Sequence, residues 1–285
     1  MNGTLGRDKV WNDQIWSEID KAVREEVGRI RAAQKVFPST ILNNVQAVPL
    51  NAVPNFRTLK TDDQFKPFIE MSKWFSLTQA QVESEETTHT ARTLARLAAR
   101  TIAAGEDRFL FLGEQSDLKE WGGIDVTNEI SLPEGFIALA NRNSQTVDDN
   151  TGILGALANA TADLNRRNQP GPYALFLSPV RYAETFQPRA NNTLVTTSDR
   201  IIPLVTAGFY AVNSLRDEIG ILVSLGGEPT TIYLGIDATT AFTATDETGI
   251  YKFRVFERIQ LVVRDPDAFE AINFPRPQEP PKKGK

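Results

Sequence analysis

The chain contains no cysteine and a single histidine. The missing thiols exclude disulfide frameworks, thiolate metal sites, iron–sulfur clusters and cysteine nucleophiles together, a usage that fits a reducing cytosol. One histidine removes multi-histidine metal sites and most hydrolase triads. That residue, His89, lies in "ESEETTHTARTL" on the polar side of a predicted helix, where a solvated imidazole is the ordinary case. No apolar run approaches the roughly 20 residues that cross a bilayer. The opening "MNGTLGRDKVWNDQIW" has no basic segment leading into an apolar core, so no secretory leader is expected. A basic surplus is lacking too: the net charge of -5 argues against a nucleic-acid footprint.

Motifs of catalysis are equally scarce. No Walker-A loop, dinucleotide fingerprint or Gly-x-Ser-x-Gly elbow occurs. "SLGGEP" reads as a glycine turn between strands, and Asp265 and Asp267 in "RDPDAF" as a turn into a short helix rather than a cation site. No catalytic residue, metal or cofactor is expected, and the chain does not read as an enzyme.

What is present is 285 residues, 41% hydrophobic and 24% charged, enough for a large core in one or two domains. Residues 11–32 carry Ile15, Trp16, Ile19, Val23, Val27 and Ile30 at three- and four-residue steps, which predicts an amphipathic helix ended before Pro38. Such a stripe ordinarily packs on its own core, and a docking surface built on its two tryptophans is the alternative. Residues 45–68 hold three prolines among scattered apolar positions, and the alternation of Ile69, Met71, Phe75 and Leu77 predicts a strand. A strand pair interrupted by proline needs a surface to lie on, which another subunit could supply.

The next helix is predicted over 84–104, capped by Ser84, with Glu85 and Glu86 in its first turn and Gly105 as its stop. Leu94, Leu97, Ala98 and Ile102 form its expected buried stripe. His89, Arg92, Arg96 and Arg100 share another face, read as solvated or inter-subunit rather than phosphate-binding. "GEDRFLFLGE" then reads as a short strand into a turn, and "GGIDVTNEISLPEG" as a hairpin or extended loop.

A second amphipathic helix, apolar at Ile153, Leu154, Leu157 and Leu164, feeds "QPGPYALFLSPVRYAETF". Tyr173–Leu177 there is apolar on both faces, which predicts a central strand. Ser178 caps the following helix and Pro179 occupies its first position. Residues 187–199 read as an exposed loop, and "SDRIIPLVTAG" as a helix capped by Ser198 and distorted by Pro203. A strand over 219–225 and two long alternating strands over 230–245 and 250–264 follow. The end, "PRPQEPPKKGK", is expected to be a disordered tail over 275–285.

In this order the elements resemble the encapsulins, bacterial and archaeal shell proteins with the subunit fold of tailed-phage major capsid proteins. Four stretches carry the likeness: "IWSEIDKAVREEV", "GEDRFLFLGE", "GPYALFLSPVRYAETF" and "LGIDATTAFTATDETGIYKFRVFERIQLVVRDPDAF". It is collinear from residue 11 to about 273. The tail and the proline-rich loop depart from it.

The resemblance implies an α+β, phage-capsid-like subunit. Its parts are an N-terminal helix region (1–44), an extension loop (45–76), a peripheral domain with spine helix (77–129 and 223–274) and an axial domain (130–222). It implies a self-assembling icosahedral homo-oligomer, a cytoplasmic nanocompartment enclosing cargo such as a ferritin-like protein or a dye-decolorising peroxidase docked by a targeting peptide. Neither nucleic acid nor membrane is an expected partner. By position, Val23, Val27, Ile30, Val36, Leu261 and Val263 are the candidate groove for that peptide, with ordinary core packing as the alternative. Arg189, Asn191, Asn192 and Thr193 are the candidate five-fold pore loop. A viral major capsid protein packaging DNA is the second reading, and an enzyme such as a hydrolase the third.

Overall fold

The computed structural model describes residues 5–50, 64–127, 133–189 and 192–275. The chain divides into two compact units, residues 1–135 with 230–264, and residues 136–229 with 265–285. The first unit carries α1 (Asp13–Ile30), β1 (Ser39–Ile41), β2 (Ala47–Pro49), β3 (Phe65–Pro67), β4 (Ile69–Leu77), α2 (Gln79–Glu83), α3 (Glu85–Thr88), α4 (Thr90–Leu112), α5 (Leu118–Gly122) and β5 (Asp125–Thr127). The second carries α6 (Phe136–Ala140), β6 (Ser144–Thr146), α7 (Gly152–Arg166), β7 (Tyr173–Leu177), α8 (Pro179–Thr185), β8 (Pro188–Arg189), β9 (Asn192–Thr196), α9 (Thr197–Ile201), β10 (Gly208–Ala211) and β11 (Ile219–Ser224). The chain returns to the first unit for β12 (Thr230–Thr245) and β13 (Tyr251–Val263), and to the second for β14 (Phe269–Asn273).

In the first unit a five-stranded sheet runs β1-β12-β13-β4-β5, antiparallel throughout except for β1 beside β12. Its centre is the long β12–β13 hairpin, where Phe242 faces Phe253 and Ile232 faces Leu261. Register shifts after Leu234, Ile236 and Phe242 break the simple alternation along β12, so Ile236 and Phe242 are half-buried while Ala241 is buried. The base of the predicted extension loop stays with its own chain. Val48 and Phe68 are buried against Val262, and β4 is an inner strand of the sheet. The rest of that loop, 51–63, lies outside the described residues.

Asn12 caps α1 by accepting a hydrogen bond from the Ile15 amide. Trp16, Ile19, Ala22, Val23 and Val27 turn inward, against α4 and β12. The two tryptophans are packed, not presented for docking: Trp16 is 3% exposed, and both indole N–H groups donate at 2.9 Å, Trp11 to the Val82 carbonyl and Trp16 to that of Arg7. Arg7 in turn grips Asp20 through two 2.7 Å bonds and the Thr240 carbonyl, fixing the entry to α1.

The spine differs from its expected form at both ends. Ser84 and His89 fall at breaks between α2, α3 and α4, with His89 left-handed at φ 53°, so the long helix starts at Thr90. Glu85 nevertheless serves that helix, accepting from the amides of Ala91 and Arg92. At the other end the helix passes through Gly105, and "RFLFL" is helical, not a strand. A methyl at Gly105 would sit 2.3 Å from the Ile124 side chain, so this glycine serves a close approach rather than a stop. The stop is Gly113, at φ 58°. The buried stripe is Ala91, Ala95, Ala98, Ala99, Ile102 and Ala103. Leu97 is exposed, because α1 packs close enough to favour alanines.

The second unit is built on a sheet ordered β10-β7-β11-β14-β6. β7 is buried along its whole length between β10 and β11, as its apolar run predicts. Leu157, Ala160 and Leu164 of α7 pack with Leu175 and Leu177. Ser178 caps α8 through the Arg181 amide. The cap of α9 is Thr196, in a reciprocal box with Asp199, and not Ser198, which is buried against the Thr196 hydroxyl. Strand β11, expected over 219–225, pairs with β14, a strand over Phe269–Asn273 where the sequence suggested only a turn into a short helix. Residues 276–285 lie outside the described residues.

Candidate functional site

Helix α1 is the element on which the expected groove depends, so its surroundings decide what the region can do. Val23 and Val27 are 0% and 2% exposed, and Leu261 is 1%. These three are interior side chains of the first unit and present no open wall. Their burial follows from the helical step of four, which puts both valines on the stripe facing α4 and β12. Ile30, Val36 and Val263 are half-buried. The chain after Val36 joins the sheet as β1 beside β12, with Ser39 opposite Ile232. Leu261 flanks Ile232 from the other side. The structure therefore brings residues 36–41 and 261–263 to one end of the sheet.

The arginine row on α4 is neither free nor arranged for phosphate. Arg92 lies 3.6 Å from Glu18, Arg96 3.9 Å from Glu25, and Arg100 2.7 Å from Glu26, all on α1. Burial pushes the Glu26 carboxyl up, but the guanidiniums of Arg100 and Arg29 outweigh it and hold the group below the usual carboxylate range. A hollow of about 280 Å³ opens further along the same helix pair, lined by Gln14, Ile15, Glu18, Ile19, Glu85, Glu86, His89 and Arg92. His89 is thus a lining residue at a helix break. No nucleophile with an oriented base meets it among the described contacts, and the described residues include no group of three or more acids or histidines fit for a metal.

An ionic cluster that the sequence reading missed lies past the end of α1. Arg31 is 5% exposed and reaches three elements. Its Nε is 2.5 Å from Glu106 Oε2 on α4, its Nη1 is 2.8 Å from Asp237 Oδ1 on β12, and its Nη2 bonds Glu257 on β13. Gln34 Nε2 donates to Glu106 at 2.8 Å, and Asp107 accepts from the amides of Ala32 and Ala33 at 2.8–3.1 Å. Burial lifts the carboxyls of Glu106 and Glu257 above the ordinary range, although Arg31 pulls both down. Burial also pushes Asp107 up, to about 7. The visible signal was an acid at 257 in an otherwise apolar face of an alternating strand.

Of the expected pore residues, Arg189 ends β8 and Asn192 and Thr193 begin β9, a two-stranded ribbon in which Arg189 pairs with Asn192. Asn191 lies outside the described residues. Asp265 accepts from the Asp267 amide and from Gln169 at 2.6 Å, as a turn cap does.

Comparison with known proteins adds to this geometry. A family model described as "Encapsulating protein for peroxidase" (Linocin_M18) matches residues 7–260. The type 1 encapsulin shell protein EncA of Myxococcus xanthus (strain DK1622) is 29% identical over 171 residues, 60% of this chain and 55% of that protein. The match thus spans about half the length of that relative. The virus-like particle from Pyrococcus furiosus is similar with a TM-score of 0.67 at 16% identity, over 90% of this chain and 99% of that one. The capsid of Myoviridae phage XM1 gives 0.55 at 9% identity, over 86% and 92%. These likenesses show the fold as the α+β subunit of phage-capsid-like shells.

Proposed function

We propose a shell-subunit function from one premise: the chain belongs to the encapsulin family, whose model covers residues 7–260. In this reading copies of the chain close into an icosahedral, cytoplasmic nanocompartment and carry no reaction themselves. The family match is the observation that carries it. Two features of the molecule support it. The second unit exposes the apolar side chains of Val180, Phe186, Ile202 and Leu204 at 45–51%, each available for contact between copies. Many modest repeated contacts, closed by symmetry, leave no adhesive edge. No described helix is long and apolar enough to cross a membrane.

The enclosed partner is a protein cargo, a peroxidase by the family's description or a ferritin-like protein by the resemblance stated above. Its targeting peptide docks near the end of α1, on the half-buried apolar side chains of Ile30, Val36 and Val263. The β8–β9 ribbon with Arg189, Asn192 and Thr193 borders the five-fold pore.

Electron microscopy and size-exclusion chromatography of the purified full chain test the reading. A megadalton particle of icosahedral outline is expected. A monodisperse monomer or dimer at micromolar concentration would falsify it, and particles filled with DNA would favour a viral capsid.

A further inference from the structure

Three carboxylates pair with Arg31, and two of them have no contact with solvent. Glu106 and Glu257 are both 0% exposed. A carboxylate removed from water is costly unless each charge is matched and each lone pair satisfied. Neither condition holds here. The positive charge acting on both glutamates is that of Arg31, and Glu257 Oε1 meets no hydrogen-bond donor among the described residues. Asp237 adds a further negative charge from β12, its side chain 40% exposed, and Asp107 another from the next position on α4. Arg31 itself is kept charged: burial works against it, but Glu106, Glu257 and Asp237 outweigh that penalty. Two buried acids facing one guanidinium are relieved when one of them takes up a proton, and such a pair titrates as a unit.

What the cluster fastens gives this arrangement a consequence. Residues 31–34 link α1 to β1. Arg31 ties them to β12, β13 and α4, Gln34 ties them to Glu106, and the amides of Ala32 and Ala33 end on Asp107.

We propose that Arg31, Glu106 and Glu257 form a proton-held clamp that fastens the turn after α1 to α4 and β13, and that the clamp loosens as the pH rises and the proton held by the two acids leaves. The sign follows from linkage. The neighbouring Asp107 is raised from 3.8 to about 7, so between those values the folded chain binds more protons than the unfolded chain. Glu106 and Glu257 shift in the same direction. Stability from the cluster is therefore fully present below the ordinary value of 3.8, falls as the pH rises towards about 7, and is lost beyond it.

The test uses the purified full chain in whatever assembly state it adopts, and is independent of the shell reading. Apparent Tm is followed at one scan rate from about pH 4 to about pH 8.5, a range that runs from the ordinary carboxylate value to beyond the raised Asp107. The wild type is expected to lose several degrees across it. Glu257→Gln keeps the shape and an acceptor for Arg31 while deleting the proton exchange, and is expected to flatten the fall. An infrared difference spectrum between the two pH limits is expected to show a protonated-carboxyl band disappearing in the wild type and a smaller one in the variant, where Asp107 still titrates. Parallel pH profiles, or a band of equal size in the two chains, overturn the proposal. Should Glu257→Gln not fold, Glu106→Gln and the wild-type spectrum carry the same two outcomes.

Discussion

Trp11 stacks on Phe253, with ring centroids 5.0 Å apart and planes 12° from parallel. Phe75 stacks on the same phenyl ring at 5.3 Å and 11°, and Trp16 meets Trp11 edge-on at 5.0 Å. Side chains from the start of the chain, from β4 and from β13 thus form one aromatic block that holds the N-terminal helix to the sheet. Trp11→Ala is expected to destabilise the first unit by about 2–4 kcal/mol through lost burial, stacking and the Val82 hydrogen bond. Trp11→Phe is expected to lose less. Urea unfolding of the two variants checks the order. Equal midpoints for wild type and Trp11→Ala would show that the block does not anchor the helix.

Gly105→Ala tests the close approach of α4 to Ile124. A helix normally gains from alanine over glycine by about 1 kcal/mol. Here the new methyl would stand 2.3 Å from Ile124 Cδ1, and the flexible end of that side chain must move. Net destabilisation of about 1–3 kcal/mol is expected, as for other overpacked sites. Ile124→Val in the same chain should recover part of it. A Gly105→Ala chain more stable than wild type would mean that the isoleucine yields freely.

Much of the fold was readable because punctuation and pattern agreed. Tyr173–Leu177 stands between Gly171-Pro172 and Ser178-Pro179 and is apolar on both faces, and β7 proves to be an inner strand with a capped helix after it. The spine was harder. A glycine marks a helix end and a tight contact alike, so Gly105 suggested a stop where packing against Ile124 was the reason. The apolar run "RFLFL" is too short for its period to separate helix from strand. Leucine suggested the inner face of α4, yet the close partner helix selects alanines and leaves Leu97 outside.

The candidate site was less readable still. Val23 and Val27 fit a docking stripe and a core stripe equally, since helical spacing does not say what covers a face. The Arg31–Glu257 bond joins positions 226 residues apart, and no local pattern announces such a partner.

An acid limb of opposite sign is expected from the β12–β13 turn. Asp246 there accepts hydrogen bonds from the Thr248 hydroxyl and from the amides of Thr248 and Ile250. Bonds led by the Thr248 hydroxyl lower its carboxyl from 3.8 to about 2. A depressed acid stabilises the fold above its unfolded value, and this contribution is lost as the pH falls from 3.8 through about 2. Denaturant midpoints in that window should fall for the wild type and fall less for Asp246→Asn. Identical acid limbs would remove Asp246 from the account.

Substitutions around α1 separate the core from the dock. Val27 is 2% exposed, so Val27→Asp places an unpaired charge against the alanine face of α4. Its penalty of several kcal/mol should prevent folding before any cargo question arises. Ile30 and Val36 are half-buried on either side of the Arg31 cluster. Serine is the better probe at those two positions, because a new acid would add repulsion beside Glu106 and Glu257. Particles of Ile30→Ser and Val36→Ser are expected to form normally and to retain at least several-fold less of a co-expressed dye-decolorising peroxidase bearing its targeting peptide. Particle integrity is read by electron microscopy and loading by the haem absorbance of the purified fraction. Full loading in both variants would place the dock elsewhere, whereas loss of particles would make these positions structural. Because Val27→Asp is expected to abolish the particle and the serine variants only its contents, the three chains together distinguish a buried stripe from an open one.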